Sequence, residues 1–248
     1  MPVTRWIGAE ALLAGLKRVN VFCGGYGSGK TEVAVNFALH LSEEGRKVRI
    51  ADLDIVNPYF RSREVRAALR ARGIEVLVPE ERLVNADLPI VSPEVKGALE
   101  SGDQSVVLDL GGDPAGARVM ASLSGGWEDG DYDGLLVVNS RRPFTGTADA
   151  VVKVIADIEA ASGMRIGKLV VNSHLIDQTD RAVIEEGIRL AEEATGSSAA
   201  TIAFVAVERR TLEDFDAEGC GYPVMVLDRM MLKPWENVGS PGSDRFRH

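Results

Sequence analysis

Residues 24 to 31 read Gly24-Gly25-Tyr26-Gly27-Ser28-Gly29-Lys30-Thr31, a full Gly-x-x-x-x-Gly-Lys-[Ser/Thr] phosphate-binding loop. The run before it, Val19 to Cys23, is apolar and rich in β-formers. After it, Val33, Ala34, Phe37, Ala38 and Leu41 recur on one helical face. Strand, glycine loop and helix in that order aim backbone N–H groups and a helix N-terminus at phosphates. Gly25 to Glu32 is therefore the stretch expected to wrap a phosphate chain. The motif places the Lys30 ammonium at the β- and γ-phosphates and the Thr31 hydroxyl on Mg²⁺. A glycine-rich turn with a chance Lys-Thr is the plain alternative, and the flanking pattern argues against it.

Outward from that loop, short apolar runs alternate with helical periodicity. Strands are expected at 19–23, 47–51, 74–78, 105–109, 134–138, 166–171 and 200–206. Helices are expected at 29–44, 61–72, 93–101, 114–123, 146–162, 180–195 and 211–218. Gly45, Gly73, Gly102, Gly163 and Gly196 follow helical runs, where a left-handed cap is wanted. This alternation predicts an α/β fold: a three-layer α/β/α P-loop NTPase with a mostly parallel sheet of about seven strands. Residues 1–18 are expected to hold an amphipathic helix, over 4–18, packed on the core through Trp6, Ile7, Leu12, Leu13 and Leu16. Residues 19–235 form one nucleotide-binding domain, and 236–248 read as a loose Gly/Ser/Pro/Arg-rich tail.

Three further segments extend the site. Strand 105–109 ends in Asp109, the expected second Mg²⁺ anchor, and Gly112 completes an Asp-x-x-Gly in which a backbone N–H can sense a γ-phosphate. A helix-capping Asp is the alternative. Asp52 and Asp54 lie at the C-terminal end of the second strand, the edge where α/β folds bind ligands. One of them can order the attacking water or support Mg²⁺, and Asn57-Pro58 would close over the phosphates. Lys168 to His174 ends a strand in Asn172, well placed for an adenine edge. No Asn-Lys-x-Asp occurs in the chain, which favours ATP over GTP. His40, His174 and His248 make no metal-ligand cluster.

The formal net charge of −9 argues against nucleic acid as a partner. Arg61, Arg63, Arg66, Arg70 and Arg72 are read as a solvated helix face rather than a binding patch. The two cysteines, Cys23 and Cys220, form no Cys-x-x-Cys pair. No stretch approaches the roughly 18 apolar residues of a membrane span, and no signal-peptide core stands at the N-terminus, so the cytoplasm is the expected location.

In these segments the chain resembles the MinD/ParA/Mrp ATPases, the CobQ/CobB/MinD/ParA nucleotide-binding domain. The resemblance covers roughly residues 18 to 226. It rests on Gly24–Thr31, Ala51-Asp52-Leu53-Asp54, Asp109–Gly112 and Val170-Val171-Asn172, with a weaker match from Val205 through Val207 to Arg210 and from Glu218 to Val224. It implies an Mg·ATP-dependent switch with slow hydrolysis and a nucleotide-dependent homodimer. By position, Asp52 and Asp54 match the first switch, Gly112 the second, Asn172 the base contact and Val207 the strand beside the base. One departure stands out. The family's signature lysine sits five residues before the loop lysine, and here that position is Gly25. Arg61, Arg63, Arg141 and Arg142 are candidate substitutes.

The expected activity is phosphoanhydride hydrolysis, with Lys30, Asp52 and Asp54 as the catalytic set, Thr31, Asp52 and Asp109 as the metal set, and ATP and Mg²⁺ as cofactors. A small-molecule phosphotransferase or ligase on the same fold remains open, with Asn57 to Arg63 holding an acceptor. So does a regulator that binds nucleotide without turning it over. The protein client is not legible.

Overall fold

The computed structural model describes residues 5–53, 63–77, 93–111 and 131–231, and positions 116, 119, 121 and 122 between them. Asp54, the Asn57–Arg61 loop, Gly112 and the 236–248 tail lie outside the described residues.

Nine strands form one sheet: β1 (Trp6–Ile7), β2 (Val19–Cys23), β3 (Val48–Asp52), β4 (Ile74–Leu77), β5 (Ser105–Asp109), β6 (Tyr132–Val138), β7 (Lys168–Val171), β8 (Thr201–Glu208) and β9 (Val224–Leu227). Their order is β1-β9-β8-β7-β6-β2-β5-β3-β4. Every pairing is parallel except that of β1 with β9. The seven expected strands are present, and β1 and β9 extend the sheet at one edge. The central strands are apolar on both faces because both faces are covered. Val19, Val21 and Cys23 of β2 point into one core, and Phe22 into the other.

Helices α1 (Glu10–Gly15), α2 (Lys30–Glu43) and α3 (Arg63–Ala71) belong to one face, where α2 and Leu69 meet Phe22 and Ile50. Helices α4 (Pro93–Glu100), α5 (Ala148–Ser162) and α6 (Arg181–Thr195) belong to the other. Thr147 and Asp180 cap α5 and α6, each accepting a backbone N–H with its side chain. Gly163 closes α5 at φ 71°, a left-handed value that a side chain would strain.

The N-terminal segment departs from the expected 4–18 helix. Trp6 and Ile7 instead pair antiparallel with Met225 and Val224, and helix is confined to Glu10–Gly15. Packing decides this. The Trp6 ring meets Phe37, His40 and Phe204 edge-on at centroid distances of 6.1, 5.5 and 5.2 Å. Edge-on aromatic packing of this kind favours the paired strand. As a result α2 is buried all round from Val33 to Leu41, including Asn36 and His40, and not along one stripe. Smaller differences concern local backbone. Neither Gly102 nor Gly196 has the expected positive φ, Gly196 following α6 in a right-handed conformation, and the expected 211–218 helix is a 3-10 segment over Arg209–Asp214.

Candidate functional site

The parallel sheet carries its loops to the C-terminal ends of the strands, and the phosphate loop lies there between β2 and α2. Gly27 and Gly29 adopt φ of 76° and 82°, which favour glycine. Close approach adds a second reason. A Cβ built on Gly27 would fall 2.7 Å from Arg142 Nε, and one on Gly29 would run into Asn172 Nδ2. The loop is pinned from the neighbouring strand ends. Asn172 Nδ2 donates to Ser28 O at 2.8 Å, and Arg142 Nε donates to Gly27 O at 2.9 Å. Gly25 faces open space, with nothing within 4 Å of a Cβ built there. Tyr26 stands on the loop 81 % exposed.

At the first turn of α2, Thr31 Oγ1 donates to Asp109 Oδ2 at 2.6 Å, and Lys30 Nζ lies 3.8 Å from Asp109 Oδ1. Asp109 is fully buried at the end of β5. Asp52 ends β3 in register with it, so two buried carboxylates sit side by side on adjacent strands. A hydroxyl with two carboxylates is a hard-oxygen donor set, which fits Mg²⁺. The structure thus brings together Lys30, Thr31, Asp52 and Asp109. Among the described residues no group of three His, Cys, Asp or Glu side chains could hold a metal without the hydroxyl.

From the loop a cleft of about 240 Å³ runs across the ends of β7, β8 and β9. Gly27, Gly29 and Arg142 line its phosphate-loop side, and Asn172, Val207 and Glu208 the strand side. The cleft dimensions and its mostly apolar wall suit a flat ring with a few polar contacts. Asn172 is both a wall residue and the tie to Ser28.

Glu32 also lines the cleft, but its carboxylate is turned to the segment after β9. It accepts from Met230 N at 2.6 Å and Met231 N at 3.0 Å. Burial raises its pKa to about 7, against the lowering pull of those two N–H groups. One turn on, Asn36 exchanges two bonds of 3.0 Å with the backbone of Asp228. His174, another wall residue, is pushed down to about 4 by burial, with the Arg142 and Arg229 charges adding to the effect. It is neutral at pH 7. Burial raises the Cys23 thiol to about 12, so that cysteine is chemically inert.

Arg142, His174, Glu208 and Arg229 do not follow any motif spacing. The Arg141-Arg142 pair was visible as a run of charge at a strand end, and that is the signal by which one of the four could be found.

No family model matches the chain, and no curated protein does. Solved structures match its fold. Chloroplast FtsY from Physcomitrella patens is similar with a TM-score of 0.51 at 18% identity, over 75% of this chain and 57% of that one. FtsY from Mycoplasma mycoides is similar with a TM-score of 0.51 at 18% identity, over 79% of this chain and 63% of that one. The chain spans less than two thirds of the length of either. The fold is that of the P-loop NTPases: an α/β sandwich with a mostly parallel sheet. Among the described residues no helix is long and apolar enough to cross a membrane.

Proposed function

We propose that this chain is an Mg²⁺-dependent ATP-binding protein of the MinD/ParA type, a slow ATPase switch that pairs with a second copy when nucleotide is bound and acts on a protein client in the cytoplasm. The observation that carries the reading is the cluster of Lys30, Thr31 and Asp109 at the start of α2. A lysine and a hydroxyl converge there on one buried carboxylate, beneath a loop whose Gly27 and Gly29 leave no room for a side chain.

In this reading Lys30 and the loop N–H groups of Gly27 to Thr31 hold the β- and γ-phosphates. Thr31, whose hydroxyl donates to Asp109 in the structure, would hold Mg²⁺ together with Asp109 and Asp52. Bound Mg²⁺ supplies charge neutralisation along the phosphate chain. Asp52 or Asp54 orients the attacking water, Gly112 senses the γ-phosphate, and Asn172 and Val207 face the base. The absence of an Asn-Lys-x-Asp stretch supports adenine over guanine.

The test is phosphate release from purified protein with Mg·ATP and with Mg·GTP, alongside light scattering in each nucleotide state. ATP turnover with an ATP-linked doubling of mass is expected. Binding without turnover by an unchanging monomer replaces the switch with a non-hydrolysing regulator. No binding of either nucleotide sinks the reading.

A further inference from the structure

The cations around the cleft are not alike. Lys30 lies 3.8 Å from Asp109, and Arg141 bonds Glu186 at 2.5 Å. Arg210 and Arg229 both reach Glu208 Oε2, at 2.9 and 3.1 Å. Arg142 differs: among the described residues no carboxylate lies within 4.0 Å of its guanidinium. Its Nε is committed to Gly27 O, and its Nη nitrogens have no protein acceptor among those residues. Yet Arg142 is half-buried and lines the cleft.

Its position is also built. The residue lies on the loop after β6, where Asn139 is fully buried and knots the turn together. Asn139 O accepts from Arg142 N at 3.0 Å and from Thr145 Oγ1 at 2.7 Å. Asn139 Oδ1 accepts from Arg141 N at 2.9 Å. The guanidinium lies against Gly27 so closely that a Cβ there would sit 2.8 Å from Cζ. A long flexible side chain is thus fixed on the phosphate loop, with its charge left over. Partly desolvated guanidinium N–H groups carrying a positive charge call for an anionic acceptor such as a phosphate oxygen.

We infer that Arg142 is a ligand of the nucleotide's phosphate chain, a cation supplied in cis from the loop after β6 that clamps the phosphates against Gly27. The inference rests on the nucleotide-binding reading above. It assigns Arg142 a binding role in the ground-state complex, with no change of covalent structure.

The test is calorimetric titration of Mg·ADP into wild type, Arg142→Met, Arg142→Lys and Lys30→Ala, with thermal unfolding of each variant without nucleotide. Arg142→Met is expected to weaken ADP binding by about 10- to 100-fold with its unfolding midpoint kept, and Arg142→Lys to recover much of that loss because it restores the charge. Wild-type affinity in Arg142→Met overturns the inference while leaving the nucleotide reading intact. An equal loss in the Met and Lys variants also overturns it, because a loop merely held in shape would not respond to charge. If the wild type itself binds no ADP, the nucleotide reading fails and this inference falls with it. Should the Met variant not fold, the decision passes to Arg142→Lys and Arg142→Gln: a Gln variant that binds as tightly as Lys refutes the role of charge.

Discussion

At the β2–β5–β3 end of the candidate site, polar groups converge on one buried carboxylate. Thr31 bonds Asp109, Lys30 approaches the same carboxylate, and Asp52 stands in register beside it. At the β7–β8–β9 end, polar groups are used to fasten chain segments. Asn172 ties β7 to the phosphate loop, Glu32 and Asn36 tie α2 to the stretch after β9, and Glu208 gathers Arg210 and Arg229. The first end concentrates charge where a metal and phosphates would discharge it. The second fixes a shape. Chemistry requires particular atoms at particular spacings, whereas a wall for a ring can be assembled from whichever side chains tertiary packing brings there.

The sharpest way to break this contrast is Lys30→Ala. If the β2–β5–β3 end does the phosphate work, the variant loses nucleotide affinity by about 100-fold or more while remaining folded at the assay temperature. ATP affinity within a few fold of wild type, measured by calorimetry, would remove the phosphate loop from the argument.

Acid probes the other end. His174 is held at about 4, below its ordinary 6.5, so the unfolded chain binds its proton first. Its contribution to stability is full above pH 6.5 and is lost as pH falls from there towards 4. His40, fully buried on α2 and held at about 3, acts in the same direction. Burial raises the Glu32 pKa instead, so its contribution is full below about 4.5 and is lost as pH rises through about 7. Between pH 7 and 4.5, denaturant unfolding of His174→Gln should show a stability loss about 2 kcal/mol smaller than that of wild type. Equal losses would mean that His174 is already protonated in the folded wall.

The smallest expected effect lies at Gly25, on the phosphate loop itself. Because a side chain there enters open space, Gly25→Lys should change stability by no more than about 0.5 kcal/mol. A large drop in the thermal midpoint would show that the loop needs glycine at this position for its own backbone, and that it is less tolerant than its geometry indicates.

Legibility in the sequence tracks the same division. The glycine loop, Asp109 at the end of an apolar strand and Asp52 one strand over were readable because each is a residue type at a strand end beside a motif of fixed spacing. Strands β2 to β8 were readable because parallel strands covered on both faces are nearly continuous apolar runs. Trp6-Ile7 was not, because two residues carry no period and their pairing with Val224-Met225 spans almost the whole chain. Nor was the complete burial of α2, whose Asn36 and His40 look like a polar face until the β1 and β9 segments cover them. Glu32 sits in the loop's own helix, yet its carboxylate answers to Met230 and Met231 nearly two hundred residues away.

By itself, then, the sequence determined the class of fold and the glycine-loop end of the candidate site. Both rest on local periodicity and on short spacings that a backbone must obey wherever it is placed. The tertiary structure alone decided the edge of the sheet, the wall of the cleft and the placement of Arg142 on Gly27. These depend on contacts between segments far apart in the chain, and their residues follow no common spacing because only packing brings them together.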